Sequence, residues 1–311
     1  MALVRSLSEL PPSARGGALS IGNFDGVHLG HAALMRRVVA HAKQLSGAAI
    51  ALTFDPHPSA LLRPESVVAP LTTVERKEEL LAALGVDYTI AYPTDWALLK
   101  LTAEEFFQRF VVEGLDSKVL VEGADFRFGA KRQGDIALLG EFCKQTRRTL
   151  DVVDAEVAEG ETVSSSRVRD LVRAGRLGVA RTLLTAPYRV RGTVVLGAER
   201  GRKLGFPTAN LEQIDTVSPG VGVYAGRAYV DGKRWPAAIH VGPNPTFGEE
   251  AVKIEVHLID FEGNLYGKEI AVEFLDRLRD VQKFPGVHDL LAQLRLDVAE
   301  SKDLSECGGG P

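Results

Sequence analysis

The chain holds 311 residues with a formal net charge of −4, and 45% of them are hydrophobic and 25% charged. At roughly 150 residues per domain, this length predicts about two globular domains. The slightly acidic balance excludes a general nucleic-acid binder, which carries a basic excess, and no apolar run reaches the ~18 residues that a membrane span requires. The two cysteines, Cys143 and Cys307, lie far apart and outside any CxxC or Cys/His cluster. That predicts neither a disulfide framework nor a zinc site and favours a reducing, cytoplasmic setting. The N-terminus lacks the continuous apolar stretch of a secretory signal. The closing ECGGGP is expected to be disordered.

In chain order, GALSIG (17–22) reads as a strand, followed by a helix over 30–45 with Leu34, Val38, Ala42 and Leu45 on one face. AAIALTF (48–54) is a buried-type strand. A helix over 73–84 opens at Thr72 or Thr73 and closes at Gly85. DYTIAY, a helix over 103–112, SKVLVEG, a helix over 135–147 and TLDVVDA continue the alternation. Strand and helix at this spacing predict an α/β domain, a parallel sheet covered on both faces, with ligands beyond the carboxyl ends of its strands. After about residue 185 the period changes. PYRVRGTVVLG, VGVYAGRAYVDG, RWPAAIHVG, VKIEVHLIDFEG and KEIAVEFLDRLR are strand-like and separated by turn residues. They predict an antiparallel β-barrel or sandwich, closed by one helix over about 286–301. With Pro187 as punctuation, the expected domains are 1–185 and 186–311.

IGNFDGVHLGH (21–31) places glycines and an aspartate where a strand should stop, and His28 and His31 three residues apart at a helix start. Gly22 and Gly26 permit a tight turn and close approach of backbone to a ligand. A strand running into a helix N-terminus presents free N–H groups and a favourable dipole to phosphate. The two imidazoles share a face, and each, protonated or neutral, can donate to phosphate oxygens. Either histidine alone reads as a surface or capping residue; together they point to a bound triphosphate. VSSSRVRDLVRAGRLGVARTLL (163–184) supplies hydroxyls and cap oxygens from Ser164–Ser166, then Arg167 and Arg169. Between these motifs, the two prolines of TFDPHP (53–58) shape a loop around Asp55. GADFRFGAKRQGD (123–135) offers Phe126, Arg127, Phe128 and Arg132 to stack on a ring and contact a phosphate.

GTVVLGAERGRKLGFPTANL (192–211) is glycine-rich and basic, yet it is no P-loop, because Lys203 is followed by Leu204. Phosphate binding there has to come from a barrel loop. Thr208 and Asn210 are two apart on extended chain, so their side chains share a face and offer hard oxygen donors to Mg²⁺ and a nucleotide phosphate. Glu255 stands in the alternating strand KIEVHL, where a carboxylate can accept a hydroxyl proton or simply face solvent.

HxGH after a first strand resembles the signature of the nucleotidyltransferase superfamily, and the serine-rich turn with Arg169 resembles its second signature. LGFPTANL, with HVGPNPTFG, KIEVHLIDFEGNLYGKEI and FLDRLRDVQKFPG, closely resembles riboflavin kinase over about 120 residues. Over residues ~15 to ~300 the chain is similar to the bacterial bifunctional riboflavin kinase/FAD synthetase family. The resemblance implies a Rossmann-like nucleotidyltransferase domain followed by a six-stranded barrel. It implies phosphorylation of riboflavin to FMN by ATP, then adenylylation of FMN by a second ATP to give FAD, with Mg²⁺. For the adenylyltransferase it implies an ATP site of Gly22, Phe24, Asp25, His28, Gly30, His31, Ser166 and Arg169, with His28, His31 and Arg169 acting in catalysis. On the flavin side it implies Asp55, Asp125, Phe126, Arg127 and Phe128, although Asp125 falls where some members carry Asn. For the kinase it implies ATP binding by Gly197, Gly201, Lys203, Gly205, Pro207, Thr208 and Asn210, the last two also on the metal. Glu255 matches the catalytic base, and Arg279 and Phe284 fall on the flavin side, Arg279 in a segment mobile in the family. A nucleotidyltransferase acting on pantetheine phosphate or a cytidylyl acceptor would leave the LGFPTANL half without a task. A flavin carrier with dead chemistry would have no need of His28, His31, Thr208, Asn210 and Glu255. The expected partners are riboflavin, FMN and ATP, without nucleic acid or membrane, and with room for a transient homo-oligomer.

Overall fold

The structure is a computed structural model that describes residues 2–197, 200–244 and 249–307, excluding the side chains of residues 200, 203, 249, 250 and 307. Contacts divide the chain into two units. One holds residues up to Val68 with Thr73–Ser164, and the other Ala69–Thr72 with the chain from Ser165 on.

In the first unit, strands β1 (Ala2–Val4), β2 (Ala18–Ile21), β3 (Ala49–Asp55), β4 (Tyr88–Pro93), β5 (Val119–Gly123) and β6 (Thr149–Val153) form one sheet in the order β1-β4-β3-β2-β5-β6. Every pairing in it is parallel. The connecting helices are α1 (Leu29–Leu45), α2 (Ser59–Leu62), α3 (Val74–Ala83), α4 (Trp96–Lys100), α5 (Ala103–Phe106) and α6 (Ile136–Gln145). A small hairpin, β7 (Val157–Ala158) with β8 (Glu161–Thr162), ends the unit. Alternation along each strand feeds two cores. Leu19, Ile21, Ile50, Leu52 and Leu120 pack with Phe106, Phe107, Phe110 and Phe128. Ala18, Ala49, Val119 and Val121 pack with Val38 and Ala42 of α1. The chain leaves β2 towards β3 on one side and later returns to pair β5 on the other, so the topological switch lies at the carboxyl ends of β2 and β5.

All five strands expected for this half form where the sequence places them. The helix expected over 103–112 is instead α5 followed by a π-helical stretch, Phe107–Gly114, that buries Phe107, Phe110, Val111 and Gly114. The edge strand β1, only three residues long, was not expected.

The second unit begins with α7 (Ser165–Arg173) and α8 (Leu177–Leu183). Strands β9 (Tyr188–Val195), β10 (Ala209–Glu212), β11 (Gly222–Val230), β12 (Lys233–Asn244), β13 (Glu249–Leu258) and β14 (Glu269–Arg279) close into an antiparallel barrel in the order β10-β13-β12-β11-β14-β9. A short helix α9 (Arg200–Lys203) lies between β9 and β10, and α10 (Val287–Cys307) ends the described chain. β9 alternates strictly between buried and half-buried positions. β11 is buried almost throughout, because α10 packs against it as well as against β12 and β14. Ser305 donates to the Gly226 carbonyl at 2.8 Å, and the buried Arg227 donates to the Ser305 carbonyl at 2.8 Å. These ties carry α10 six residues beyond its expected end at 301 and make Glu306 and Cys307 helical rather than part of a disordered tail. Residues 308–311 lie outside the described residues.

Candidate functional sites

In the first unit the expected residues gather at the carboxyl edge of the sheet. Between β2 and α1 the chain turns through Phe24 (φ 45°), Gly26 (φ 80°) and Val27 (φ 42°). A β-branched residue at positive φ is strained, and such strain persists only where its surroundings enforce it. Here Phe24 and Val27 are both buried. The turn delivers His28 as the N-cap of α1, where its Nδ1 accepts the backbone N–H of His31 at 3.4 Å. A ring nitrogen that accepts is unprotonated, so the proton of His28 sits on Nε2, facing away from the cap. The two imidazoles stack with centroids 3.6 Å apart and planes inclined by 19°, and Phe24 meets His31 edge-on at 5.4 Å. Gly30 makes room for this stack: a Cβ there would come within 3.1 Å of the His28 ring.

Burial lowers the His28 pKa from 6.5 to about 4, against the attraction of Asp25. Burial also holds His31 well below 6.5, helped by the charges of His28 and Lys77. Both shifts favour the neutral imidazole at pH 7. His31 Nδ1 and Asn23 Oδ1 are buried and have no hydrogen-bond partner among the described residues.

Lys77 and Glu122 were missed by the motif reading. Lys77, on α3, is buried, and its Nζ donates to Thr53 Oγ1 at 3.2 Å while that hydroxyl donates to the Asn23 carbonyl at 3.1 Å. Its signal was a lysine in register with Leu80 and Leu81, on the face of an amphipathic helix where a leucine belongs. Glu122, at the end of β5, accepts the Ile21 N–H at 2.7 Å, and burial raises its pKa well above the usual carboxylate value.

The residues expected on the flavin side are less uniform. Asp55 ends β3 and pairs with Arg5 at 2.8 Å. Asp125 is exposed. Arg127 pairs with Asp135, the N-cap of α6, at 3.0 Å. Phe126 is half-buried and stacks on Phe128 at 5.5 Å, but Phe128 itself is only 5% exposed and belongs to the core with Phe106 and Phe142. Phe128 supports the loop rather than lining its surface. Ser166 and Arg169 lie on α7, in the second unit.

On the barrel, β10, β13 and β12 bring a second group together. Asn210 is directly opposite Glu255, and Glu255 is directly opposite His240. Directly opposed residues share a face. It is the outer face here, since Ala209, Leu211, Ile254, Val256, Ile239 and Val241 point into the core. Asn244 Nδ2 donates to Glu255 Oε1 at 2.9 Å. Burial lowers the His240 pKa, opposed by Glu255. His257 Nδ1 meets the Pro207 carbonyl at 2.8 Å and fastens the loop before β10. The glycines of that loop are used for contact. A Cβ on Gly197 would overlap the Asn210 carboxamide, and one on Gly201 would overlap the Phe206 carbonyl and come within 3.5 Å of Thr208 Oγ1. Gly205 takes φ 85°, Pro207 is exposed, and the Lys203 side chain lies outside the described residues. Mg²⁺ takes oxygen ligands, keeps several waters and needs one or two protein donors. A threonine hydroxyl and an asparagine carboxamide at Thr208 and Asn210 fit that requirement.

Arg279, expected on the flavin side, is tied to α10. Its Nε and Nη2 grip Asp297 of α10 at 2.9 and 2.7 Å, and Gln293 braces the same carboxylate at 2.9 Å. The guanidinium carbon lies 5.7 Å from the centre of the Phe284 ring. Arg279 thus ties β14 to α10.

A family model described as FAD synthetase matches residues 10–167, and one described as riboflavin kinase matches residues 184–305. The bifunctional riboflavin kinase/FMN adenylyltransferase of Pseudomonas fluorescens is 35% identical over 98% of this chain and 98% of its own length. That of Escherichia coli K12 is 34% identical over 97% of both, and that of Listeria monocytogenes is 36% identical over 91% of both. Among solved structures, a Streptococcus pneumoniae protein described as a macrolide-efflux protein superimposes with a TM-score of 0.84 at 29% identity, over 97% of this chain and 98% of that one. Efflux stays with that protein's description; no described helix of this chain is long and apolar enough to cross a membrane. Two family models in tandem and full-length relatives of one kind lead to one conclusion: the chain belongs to the bifunctional riboflavin kinase/FMN adenylyltransferase family.

Proposed function

We propose that the family's chemistry divides along the chain, with residues 1–185 as FMN adenylyltransferase and residues 186–311 as riboflavin kinase. The overall activity is phosphorylation of riboflavin to FMN by ATP, then adenylylation of FMN by a second ATP to give FAD and pyrophosphate. Residues 165–185 are assigned to the first half on their motif, although by contact they group with the barrel.

The observation that carries the adenylyltransferase assignment is the stacked pair His28 and His31 at the start of α1, beside the sheet's topological switch. Free N–H groups and an Nε2–H at a helix start are donors for ATP phosphates. The nucleophile, the FMN phosphate, is already an anion, so no base is required and the rate rests on positioning and charge stabilisation. Gly22, Phe24, Asp25 and Gly30 shape this ATP site, and Ser166 and Arg169 are assigned to its phosphates on their motif alone. Asp55, Asp125, Phe126 and Arg127 are assigned to the flavin side, with Phe128 beneath them.

In the kinase, the riboflavin 5′-hydroxyl is a poor nucleophile, and Glu255 is assigned as the carboxylate that accepts its proton. Asn244 holds one of its oxygens, and Asn210 lies across the strand pair. The loop from Gly197 to Pro207 would receive ATP. Thr208 and Asn210 would hold Mg²⁺, which when bound offsets the charge on the phosphates. Arg279 and Phe284 are assigned to the flavin side, with Arg279 also fixing the end of β14 against α10.

Separating products after mixing the protein with riboflavin and Mg-ATP tests the whole reading. FMN should appear first, then FAD. His31→Ala should abolish FAD formation while FMN formation continues. Glu255→Gln should cut FMN formation by roughly 10²–10⁴ while FAD formation from supplied FMN continues. Loss of both products in either variant would defeat the division of labour. The reading also includes a cytoplasmic enzyme of small molecules, without nucleic-acid or membrane partners, with room for transient homo-oligomers. The net charge of −4 supports it on nucleic acid.

A further inference from the structure

Two stacked histidines kept neutral by burial leave a charge problem at the α1 start. Adenylyl transfer brings an FMN phosphate against the α-phosphate of ATP, and two anions must approach to bonding distance. Neutral imidazoles donate hydrogen bonds but carry no compensating charge. A cation is present on the neighbouring helix. Lys77 is 6% exposed, and its ammonium reaches Thr53 Oγ1 at 3.2 Å. Thr53 is on β3, two residues before Asp55 at the strand's carboxyl end. Burial works against the charge of Lys77, and the fields of Asp25, in the β2–α1 turn, and of Asp55 favour it. Its own field reaches His31. Lys77 thus touches the strand that ends at Asp55, the strand end assigned to flavin, and through the Thr53 hydroxyl is linked to the Asn23 carbonyl in the turn assigned to ATP.

A buried ammonium is expensive to desolvate, and an apolar side chain of similar length would fill this register of α3 without that cost. The polar atoms around it are arranged for a charged neighbour: Thr53 turns its hydrogen to the Asn23 carbonyl and its lone pairs to Lys77. In the same turn and helix start, the buried Asn23 Oδ1 and His31 Nδ1 have no hydrogen-bond partner among the described residues.

Resting on the adenylyltransferase reading of this site, we propose that Lys77 is a catalytic residue that contacts the FMN phosphate and the α-phosphoryl oxygen of ATP. In the step it serves, an FMN phosphate oxygen forms a bond to the α-phosphorus. The bond from that phosphorus to the β-bridging oxygen breaks, and its electron pair leaves with pyrophosphate. Lys77 keeps its proton throughout; it offsets charge that is more crowded in the transition state than in either bound substrate.

The test is Lys77→Met and Lys77→Arg in the full chain, with His31→Ala alongside. Three readings are taken: kcat and KM for FAD formation from FMN and ATP, ATP affinity by calorimetry, and thermal unfolding. For Lys77→Met, kcat should fall by about 10²-fold or more, with ATP affinity within about threefold and unfolding temperature unchanged or raised. Lys77→Arg should recover at least about a tenth of the lost rate. A Lys77→Met enzyme within threefold of the parent overturns the proposal. So does a variant pair equally inactive and equally destabilised, since that is the behaviour of a structural tie. If His31→Ala leaves FAD formation intact, the assignment of the site itself has failed, and the proposal for Lys77 with it.

Discussion

Replacing His28 with Asn separates its role as a helix cap from its role as a titrating group. Asn is as good an N-cap as any residue, so it can accept the His31 N–H that His28 Nδ1 accepts now. What the substitution removes is an imidazole whose pKa burial has lowered from 6.5 to about 4. Between those two values the unfolded chain binds a proton that the folded chain refuses. Stability therefore rises with pH across that window and is lost as pH falls through it. Linkage puts the loss from His28 at about 2 kcal/mol at pH 5 and about 3 kcal/mol at pH 4, relative to pH 7. His31 adds a loss of the same sign in both proteins, because burial is its leading cause; His28 also lowers it, so the difference between parent and variant carries His28 together with its effect on His31.

The assay is urea or thermal unfolding of the first unit's transition at pH 7, 6 and 5. At pH 7 the two proteins should differ by no more than about 1 kcal/mol, the worth of an aromatic stacking contact. At pH 5 the parent should have lost about 2 kcal/mol more than His28→Asn, a relative shift of roughly 4–8 °C for a unit of this size. Parallel pH dependences would refute the reasoning: His28 would then titrate near its ordinary value, and the neutral pair on which the charge argument for Lys77 depends would not exist.

Three further outcomes are expected. Asp297→Ala should destabilise the barrel by roughly 2–4 kcal/mol by stranding a mostly buried Arg279, read as a lower urea midpoint; a change under about 0.5 kcal/mol would mean that Arg279 is free to serve flavin directly. Glu122→Gln keeps an acceptor for the Ile21 N–H without a carboxyl that burial prefers protonated. The parent should lose stability relative to this variant as pH rises above the unfolded carboxylate pKa towards the raised folded one, and equal slopes in urea melts at low and high pH would contradict it. Gly197→Ala places a methyl group where the Asn210 carboxamide stands. It should raise KM for ATP in FMN formation by about tenfold or more, a displacement worth at least ~1.4 kcal/mol, with FAD formation from supplied FMN unaffected.

What could be read from the sequence and what could not follows a physical line. Strand–helix alternation in the first half is a local signal, and β2 to β6 stand where their apolar runs lie. The register of α1 was legible for the same reason, down to His28 and His31 at its start. β1 has three residues and no period to detect, and its place is set by Tyr88–Ile90 of the strand beside it. Phe128 looked like a ring for stacking because an aromatic in a glycine-rich basic loop reads as exposed. The loop in fact folds back through paired hydrogen bonds between Phe128 and Gly134 and drives that ring into the core.

Lys77 shows the limit from the other side. Its burial was legible, since position 77 falls in register with Leu80 and Leu81 on the inward face of α3. Its purpose was not, since Asp25 lies 52 residues before it and His31 46 before it in the chain. The barrel site has the same character. Asn210, His240 and Glu255 become neighbours only when β10 and β12 pair with β13 from opposite sides. Periodicity states whether a side chain faces core or solvent. Which distant residue it meets there depends on pairing, and both candidate sites in this chain are assembled at that level, from residues whose individual signals are those of ordinary strands and helices.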